Sequence, residues 1–168
     1  MSWATALLVL VTLQRLAELV HARRNTRRLM AAGAVEIGAD HYPLLVMLHA
    51  SWLGALWILV ATDHALLWWP AVYGYGMVEI ARIWVMASLG RYWTTRILIP
   101  RDVPLVRRGP YRFLRHPNYW VVAFEIALLP LAFGSWSLAA VFSLLNAAVL
   151  FWRIRVEETS LAARRSVA

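Results

Sequence analysis

The run Arg115-His116-Pro117-Asn118-Tyr119-Trp120 puts a guanidinium, an imidazole and a phenol beside one another. Pro117 suits the first position of a helix, because its missing N–H would have no partner there. The N–H groups of Asn118, Tyr119 and Trp120 are then free and point back toward Arg115 and His116. The helix dipole is positive at that end, so the stretch predicts an anion site. On an interfacial anchor the same residues would hold lipid headgroups instead. Farther on, Arg153-Ile154-Arg155-Val156-Glu157-Glu158 pairs Arg153 with Glu157 at i, i+4 and Arg155 with Glu158 at i, i+3. That spacing fits a salt-bridged, solvated helix. It also offers two adjacent carboxylates. A cationic wall opposite a carboxylate pair suits a zwitterion, such as an amino-acid group that needs both an anion site and acceptors for its ammonium.

Other ionisable groups stand in apolar surroundings, where each costs about 2.5–3.5 kcal/mol or more unless it meets a partner or a cavity. Glu79 and Arg82 share a helix face at i, i+3. They read either as a self-neutralising pair or as the polar wall of a substrate cavity. Glu125 has no local partner and calls for an arginine on another helix. His49 shares a face with Trp52 and reads first as a hydrogen-bonded histidine, second as a catalytic one.

The elements that must position these residues follow from composition. The chain has 168 residues, 61% hydrophobic and 15% charged, with 10 Trp. An average soluble domain is about 45–50% apolar and about 25% charged, so a water-soluble or disordered chain is excluded. There is no cysteine, which removes disulfides, zinc–thiolate sites and iron–sulfur clusters, and no metal is expected. A membrane span needs about 20 apolar residues. Five stretches offer themselves: Ser2 to Val20, Tyr42 to Ala61 (Asp40 its cap), about Ala65 to Leu89, Pro117 to Phe133, and Trp136 to Trp152, with Gly134-Ser135 as the break between the last two.

All 17 basic residues are arginines. Arg23, Arg24, Arg27 and Arg28 follow the first span. Arg91, Arg96, Arg101, Arg107, Arg108, Arg112 and Arg115 follow the third, and Arg153, Arg155, Arg164 and Arg165 follow the fifth. Only Arg15 and Arg82 lie within spans, and the loops at Thr62 to His64 and Gly134-Ser135 carry none. The positive-inside rule then puts the N-terminus outside and the C-terminus in the cytoplasm. The pI near 11.0 therefore needs no nucleic-acid partner. No basic segment precedes the first apolar run, so a cleavable signal peptide is not expected.

Gly109-Pro110-Tyr111, then Arg115-His116-Pro117-Asn118-Tyr119, then Arg153 to Glu158, together resemble the isoprenylcysteine carboxyl methyltransferase family of integral membrane enzymes. Arg82-Ile83-Trp84 and Leu89-Gly90-Arg91-Tyr92-Trp93-Thr94 match the family's run before that loop. The likeness covers about Arg82 to Leu161. The Arg-His-Pro-x-Tyr piece also recurs in sterol-reductase-like membrane proteins, whereas the Glu-Glu pair favours methyltransferases. Gln14-Arg15-Leu16-Ala17-Glu18-Leu19, Arg24-Asn25, Gly33-Ala34 and His41-Tyr42-Pro43 resemble a bacterial branch associated with O-methylation of alkylresorcinols and alkylpyrones. Family members often continue past the Glu pair into an aromatic tail, so a lid from that tail is expected to be missing.

The resemblance implies S-adenosylmethionine as cofactor, entering from the cytosol, and a lipid acceptor entering from the bilayer. It implies a pocket lined by Tyr111, Arg115, His116, Pro117 and Tyr119 and closed by Glu157 or Glu158, with Arg155 beside them. His49, Glu79, Arg82 and Trp93 are expected at the acceptor cavity. A carboxylate acceptor needs no base, whereas a phenol, with a pKa of about 10, gains from one. His116 and Glu158 are candidates, and His49 is a third. The expectation is one all-α membrane domain, residues 1–168, with the cofactor half at about 82–161. It sits in the cell membrane with its site facing the cytoplasm. Rival readings are a prenylcysteine carboxylate or phospholipid amine as acceptor, an NADPH-dependent membrane reductase, and a lipid-binding protein without catalysis.

Overall fold

The computed structural model describes residues 2–62, 65–100 and 106–165, with side chains throughout except at residue 41 and residues 160–165. Arg101 and His64 of the charge pattern fall outside these. Five helices make up most of the chain: α1 (Trp3–Ala31), α2 (Tyr42–Ala61), α3 (Trp69–Leu89), α4 (Pro117–Ala132) and α5 (Trp136–Arg165). Three helical segments are long and apolar enough to cross a membrane: Trp3–Ala31, Tyr42–Ala61 and Trp136–Thr159. α4 is apolar but has 16 residues, and α3 carries Glu79 and Arg82.

Several helix ends differ from the expected spans. α1 runs on through its four arginines to Ala31, because arginine is a good helix former and needs only solvent around its head. α5 likewise continues through the Arg153 to Glu158 segment. α3 begins at Trp69 rather than Ala65, with Pro70 in its first turn. Asp40 does not cap α2. It lies in a 3-10 turn, Ala39–His41, that runs straight into the helix and leaves no free start. The all-α expectation also needs correction. β1 (Val35–Ile37) pairs antiparallel with β2 (Ile97–Ile99), Glu36 opposite Leu98. Arg96 clips this ribbon by binding both oxygens of Glu36 at 2.8 Å.

The core is formed by Leu8 and Val11 of α1, Trp52 and Leu56 of α2, Tyr75 of α3, Ile126 and Leu129 of α4, and Phe142 and Val149 of α5. Trp52 donates its indole N–H to the Ile126 carbonyl at 3.2 Å, and Trp57 donates to Thr12 at 3.1 Å. Outside this core, every helix exposes large apolar residues, among them Leu13, Ile58, Met77, Phe124 and Leu144. Such a surface suits hydrocarbon rather than water.

A buried ionic network ties three helices together. Arg82 of α3 reaches Glu18 of α1 at 2.7 Å and Glu125 of α4 at 2.7 Å. Arg15 of α1 reaches Glu79 at 2.6 Å, Glu18 at 2.9 Å and Glu125 at 3.1 Å. Gln14 donates to Glu18 and Glu79, and Arg15 donates to the Tyr75 hydroxyl. The expected pairing of Glu79 with Arg82 does not form. Both are engaged, but across helices, because an inter-helix fork satisfies more of a guanidinium than a neighbour one turn away. The arginine partners anticipated for Glu125 are Arg82 and Arg15.

The two ends of the bundle differ. At one, Asn25 of α1 donates to the Trp93 carbonyl at 2.8 Å, and Arg153 of α5 to the Thr95 carbonyl at 2.7 Å. The arginine-bearing segments thus meet there. At the other, the Trp68 N–H binds the Ala132 carbonyl at 2.9 Å, and the rings of Trp68 and Trp136 lie 5.7 Å apart.

Candidate functional site

Where the arginines gather, the first turn of α4 lies against the last third of α5. His116 takes the cap position and Pro117 the first helical one, as expected. The Tyr119 N–H is not free, however. It closes a tight turn onto the His116 carbonyl at 3.1 Å. His116 stacks on Tyr119, ring centres 5.4 Å apart and planes 19° from parallel. Its Nδ1 is 3.8 Å from Glu157 and its Nε2 3.6 Å from Glu158.

Tyr119 is the junction. Its hydroxyl donates to Glu157 and accepts from Arg153 Nε at 3.0 Å. Arg153 is 5% exposed, and its Nη2 holds the Thr95 carbonyl. The pairing expected within α5, Arg153 with Glu157, is therefore replaced by a bridge through Tyr119. Arg155 is not paired with Glu158 either. It is exposed, with its guanidinium 4.7 Å from the centre of the Phe151 ring, and makes no contact with this cluster among the described residues. Arg153 and Glu157, about one helical turn apart on α5, point inward, and Arg155 lies about 200° around from Arg153. Arg153 is the member that spacing alone did not single out. Its signal was its register with Glu157, read there as a surface pair.

Tyr111 comes from the turn Gly109–Arg112. Burial pushes its phenol above the ordinary tyrosine range, and the nearby Glu157 carboxylate adds to this, so it stays a neutral donor. Gly109 seats this turn on α3. Its φ is +57°, and a Cβ there would meet Ser88 Oγ at 2.0 Å. Arg108 fastens the same contact by donating to the Ser88 carbonyl at 2.7 Å. Arg115 is exposed and makes no ion pair among the described residues. Asn118 Oδ1 is buried without a hydrogen-bond partner among the described residues.

The structure thus brings Tyr111, His116, Pro117, Tyr119, Glu157 and Glu158 together and leaves Arg155 outside. Of the residues expected at an acceptor cavity, Glu79 and Arg82 belong to the ionic network. Trp93 is 2% exposed, its indole Nε1 without a hydrogen-bond partner among the described residues, and it stacks on His21 at 5.8 Å. His49 is half-buried and bonded to the Leu45 carbonyl.

Chemically, the cluster offers a buried guanidinium, two carboxylates and a stacked aromatic pair, with the orphaned Asn118 amide oxygen on the same turn of α4. That set fits a zwitterion with a flat ring, which is the character of S-adenosylmethionine. The model of the isoprenylcysteine carboxyl methyltransferase family matches residues 72–163, a stretch that contains all of these residues. The uncharacterized protein YpbQ of Bacillus subtilis (strain 168) is 37% identical over 158 residues, which cover 92% of this chain and 94% of that protein. No solved structure matches.

Proposed function

The chain belongs to the isoprenylcysteine carboxyl methyltransferase family and is a membrane methyltransferase; from that premise we propose that it methylates an oxygen of a hydrophobic acceptor, an alkyl-phenol or alkylpyrone lipid, using S-adenosylmethionine. The observation that carries the reading is the convergence of His116 and Tyr119 on α4 with Arg153, Glu157 and Glu158 on α5. S-adenosylmethionine supplies a methyl group on a positively charged sulfur. Arg115 and His116 take its carboxylate, Glu157 and Glu158 its ammonium, and Tyr111, Pro117 and Tyr119 wall the pocket. His116 and Glu158 keep the donor aligned for in-line displacement, whose main demands are orientation and exclusion of water. Trp93, with its free indole N–H, and His49 stand beside the acceptor, while Glu79 and Arg82 form the wall behind.

All five helices span the cell membrane as one domain, N-terminus outside and C-terminus in the cytoplasm. The arginine-rich end and its pocket face the cytosol, where the cofactor is found. Membrane lipids and the acceptor are the partners; nucleic acid is not. The bacterial-branch likeness of residues such as Gln14, Arg15 and Glu18 supports the alkyl-phenol or alkylpyrone class.

Calorimetry on detergent-purified protein tests the cofactor. S-adenosylmethionine binds and NADPH does not, and His116→Ala and Glu158→Ala each weaken the binding. Binding of NADPH with none of S-adenosylmethionine overturns the reading. Labelled S-adenosylmethionine offered with an alkylresorcinol, a prenylcysteine and an aminophospholipid then tests the acceptor, and the alkylresorcinol takes the most label. Equal labelling of the prenylcysteine defeats the ranking.

A further inference from the structure

The turn that carries Tyr111 presents two apolar side chains outward. Phe113 is 77% exposed and Leu114 46%. They are held there, because Gly109 and Arg108 fasten the turn to Ser88 of α3. The turn's amides are already used. The Tyr111 N–H bonds the Arg108 carbonyl at 3.2 Å, and the N–H groups of Phe113 and Leu114 bond the Pro110 carbonyl at 3.1 and 3.0 Å. A backbone closed on itself in this way can leave water at little cost.

Its depth follows from α4. Pro117, the first residue of that helix, comes three positions after Leu114. Trp120, in the first turn of α4, is 58% exposed and stacks on Phe124 one turn farther in. An exposed indole at a helix end is characteristic of the headgroup layer. Trp120 lies about 5 Å along the helix from Pro117, and the headgroup layer is about 5–8 Å thick on each side. Phe113 and Leu114 therefore stand where that layer begins. Beside them Arg112 is exposed, its guanidinium 6.0 Å from the centre of the Phe113 ring, and it makes no ion pair among the described residues. A free guanidinium next to two exposed apolar groups is complementary to an anionic phospholipid, which offers a phosphate to the one and acyl chains to the others.

We propose that Arg112-Phe113-Leu114 docks on the leaflet at the arginine-rich end, Phe113 and Leu114 among the upper acyl carbons and Arg112 on the phosphate of an anionic phospholipid. Tyr111 and His116 flank this segment directly, so the lipid surface steadies the rim of the pocket. The inference rests on the membrane and cofactor readings above and adds a lipid partner to that site.

The chain has no cysteine, so Phe113→Cys and Leu114→Cys each give one position for a nitroxide label. Ile58→Cys, exposed on α2, gives a reference within the span. In vesicles of phosphatidylcholine with phosphatidylglycerol, labels at all three positions are relaxed more by oxygen than by a water-soluble nickel chelate. In phosphatidylcholine alone, the labels at 113 and 114 shift toward the chelate while that at 58 does not, and adding Arg112→Gln abolishes the difference between the two vesicles. Chelate dominance at 113 and 114 in both vesicles overturns the docking. So does the absence of any lipid dependence, or broadening by a second nitroxide, which would put another copy of the chain on the turn. Chelate dominance at 58 as well removes the membrane reading itself. Calorimetry in the same vesicles tests the link to the pocket. Arg112→Gln weakens S-adenosylmethionine binding by about two- to fivefold with phosphatidylglycerol present, the upper figure being what one arginine's attraction to an anionic surface can pass on, and leaves it unchanged in phosphatidylcholine alone. Equal affinities overturn the link. No binding by the unaltered protein in either vesicle overturns it together with the cofactor reading, while the labels still decide the docking.

Discussion

Tyr119 connects two helices through one oxygen: it donates to Glu157 and accepts from Arg153. Both partners are ionic, and hydrogen bonds to charged groups contribute about 1.5–3 kcal/mol. Tyr119→Phe keeps the ring and its stacking on His116 but frees Glu157 to swing. Its affinity for S-adenosylmethionine is expected to fall at least tenfold by calorimetry, with the melting temperature in detergent lowered as well. An unchanged affinity would show that the hydroxyl only braces the fold. At this scale much of the site was legible, because Tyr111, His116, Tyr119, Glu157 and Glu158 have types that declare their chemistry. The partner choices were not. Arg153 and Arg155 are equivalent by spacing from the carboxylates, and only the packing of α5 on α4 turns the first inward and leaves the second over Phe151. Glu79 and Arg82 mislead for the same reason, since three-residue spacing permits a pair that inter-helix geometry outbids.

The elements place the pocket by seating a turn on a helix end. Gly109, at φ +57°, leaves no room for a Cβ against Ser88 of α3. Gly109→Ala combines left-handed backbone strain of about 1–3 kcal/mol with a collision that has to push the turn outward. Tyr111 moves with it. Weaker S-adenosylmethionine binding together with a lower melting temperature is the expected result. Ser88→Gly, which clears the collision, should recover part of both when added to Gly109→Ala. No recovery would mean that backbone strain alone accounts for the loss. The apolar lengths of α2 and α4 were readable almost to the residue, because hydropathy changes sharply where they end. The extension of α1 was hidden, since helical arginines outside the apolar slab look like loop, whereas the i, i+3 and i, i+4 spacing of Arg153 to Glu158 already fitted a helix there. The ribbon of β1 and β2 is three residues on each strand, too short for alternation to announce, and its partners are about 60 positions apart.

The molecule as a whole divides its charge between a rim and a centre. The rim arginines govern orientation, so a reporter fused at Ala168 is expected in the cytoplasm, and a periplasmic signal would reverse the topology. The centre obeys different physics. Among the described residues, the cationic partners of Glu18, Glu79 and Glu125 are Arg15 and Arg82, three carboxylates against two guanidiniums, in a network that joins α1, α3 and α4. Removing one partner of a buried pair is severe, about 3–5 kcal/mol, because the other is left charged and alone. Arg82→Met leaves Glu18, Glu79 and Glu125 to Arg15, three carboxylates against one guanidinium, and is expected to cost at least that much, seen as a large drop in melting temperature in detergent. Glu79→Gln takes away the surplus carboxylate while its amide oxygen still accepts from Arg15, so its change should stay within about 1 kcal/mol. The contrast between the two variants carries the test. If Glu79→Gln proved as damaging as Arg82→Met, the count of charges would not be what balances the network. Glu79 would then have a role of its own, on the acceptor side of α3.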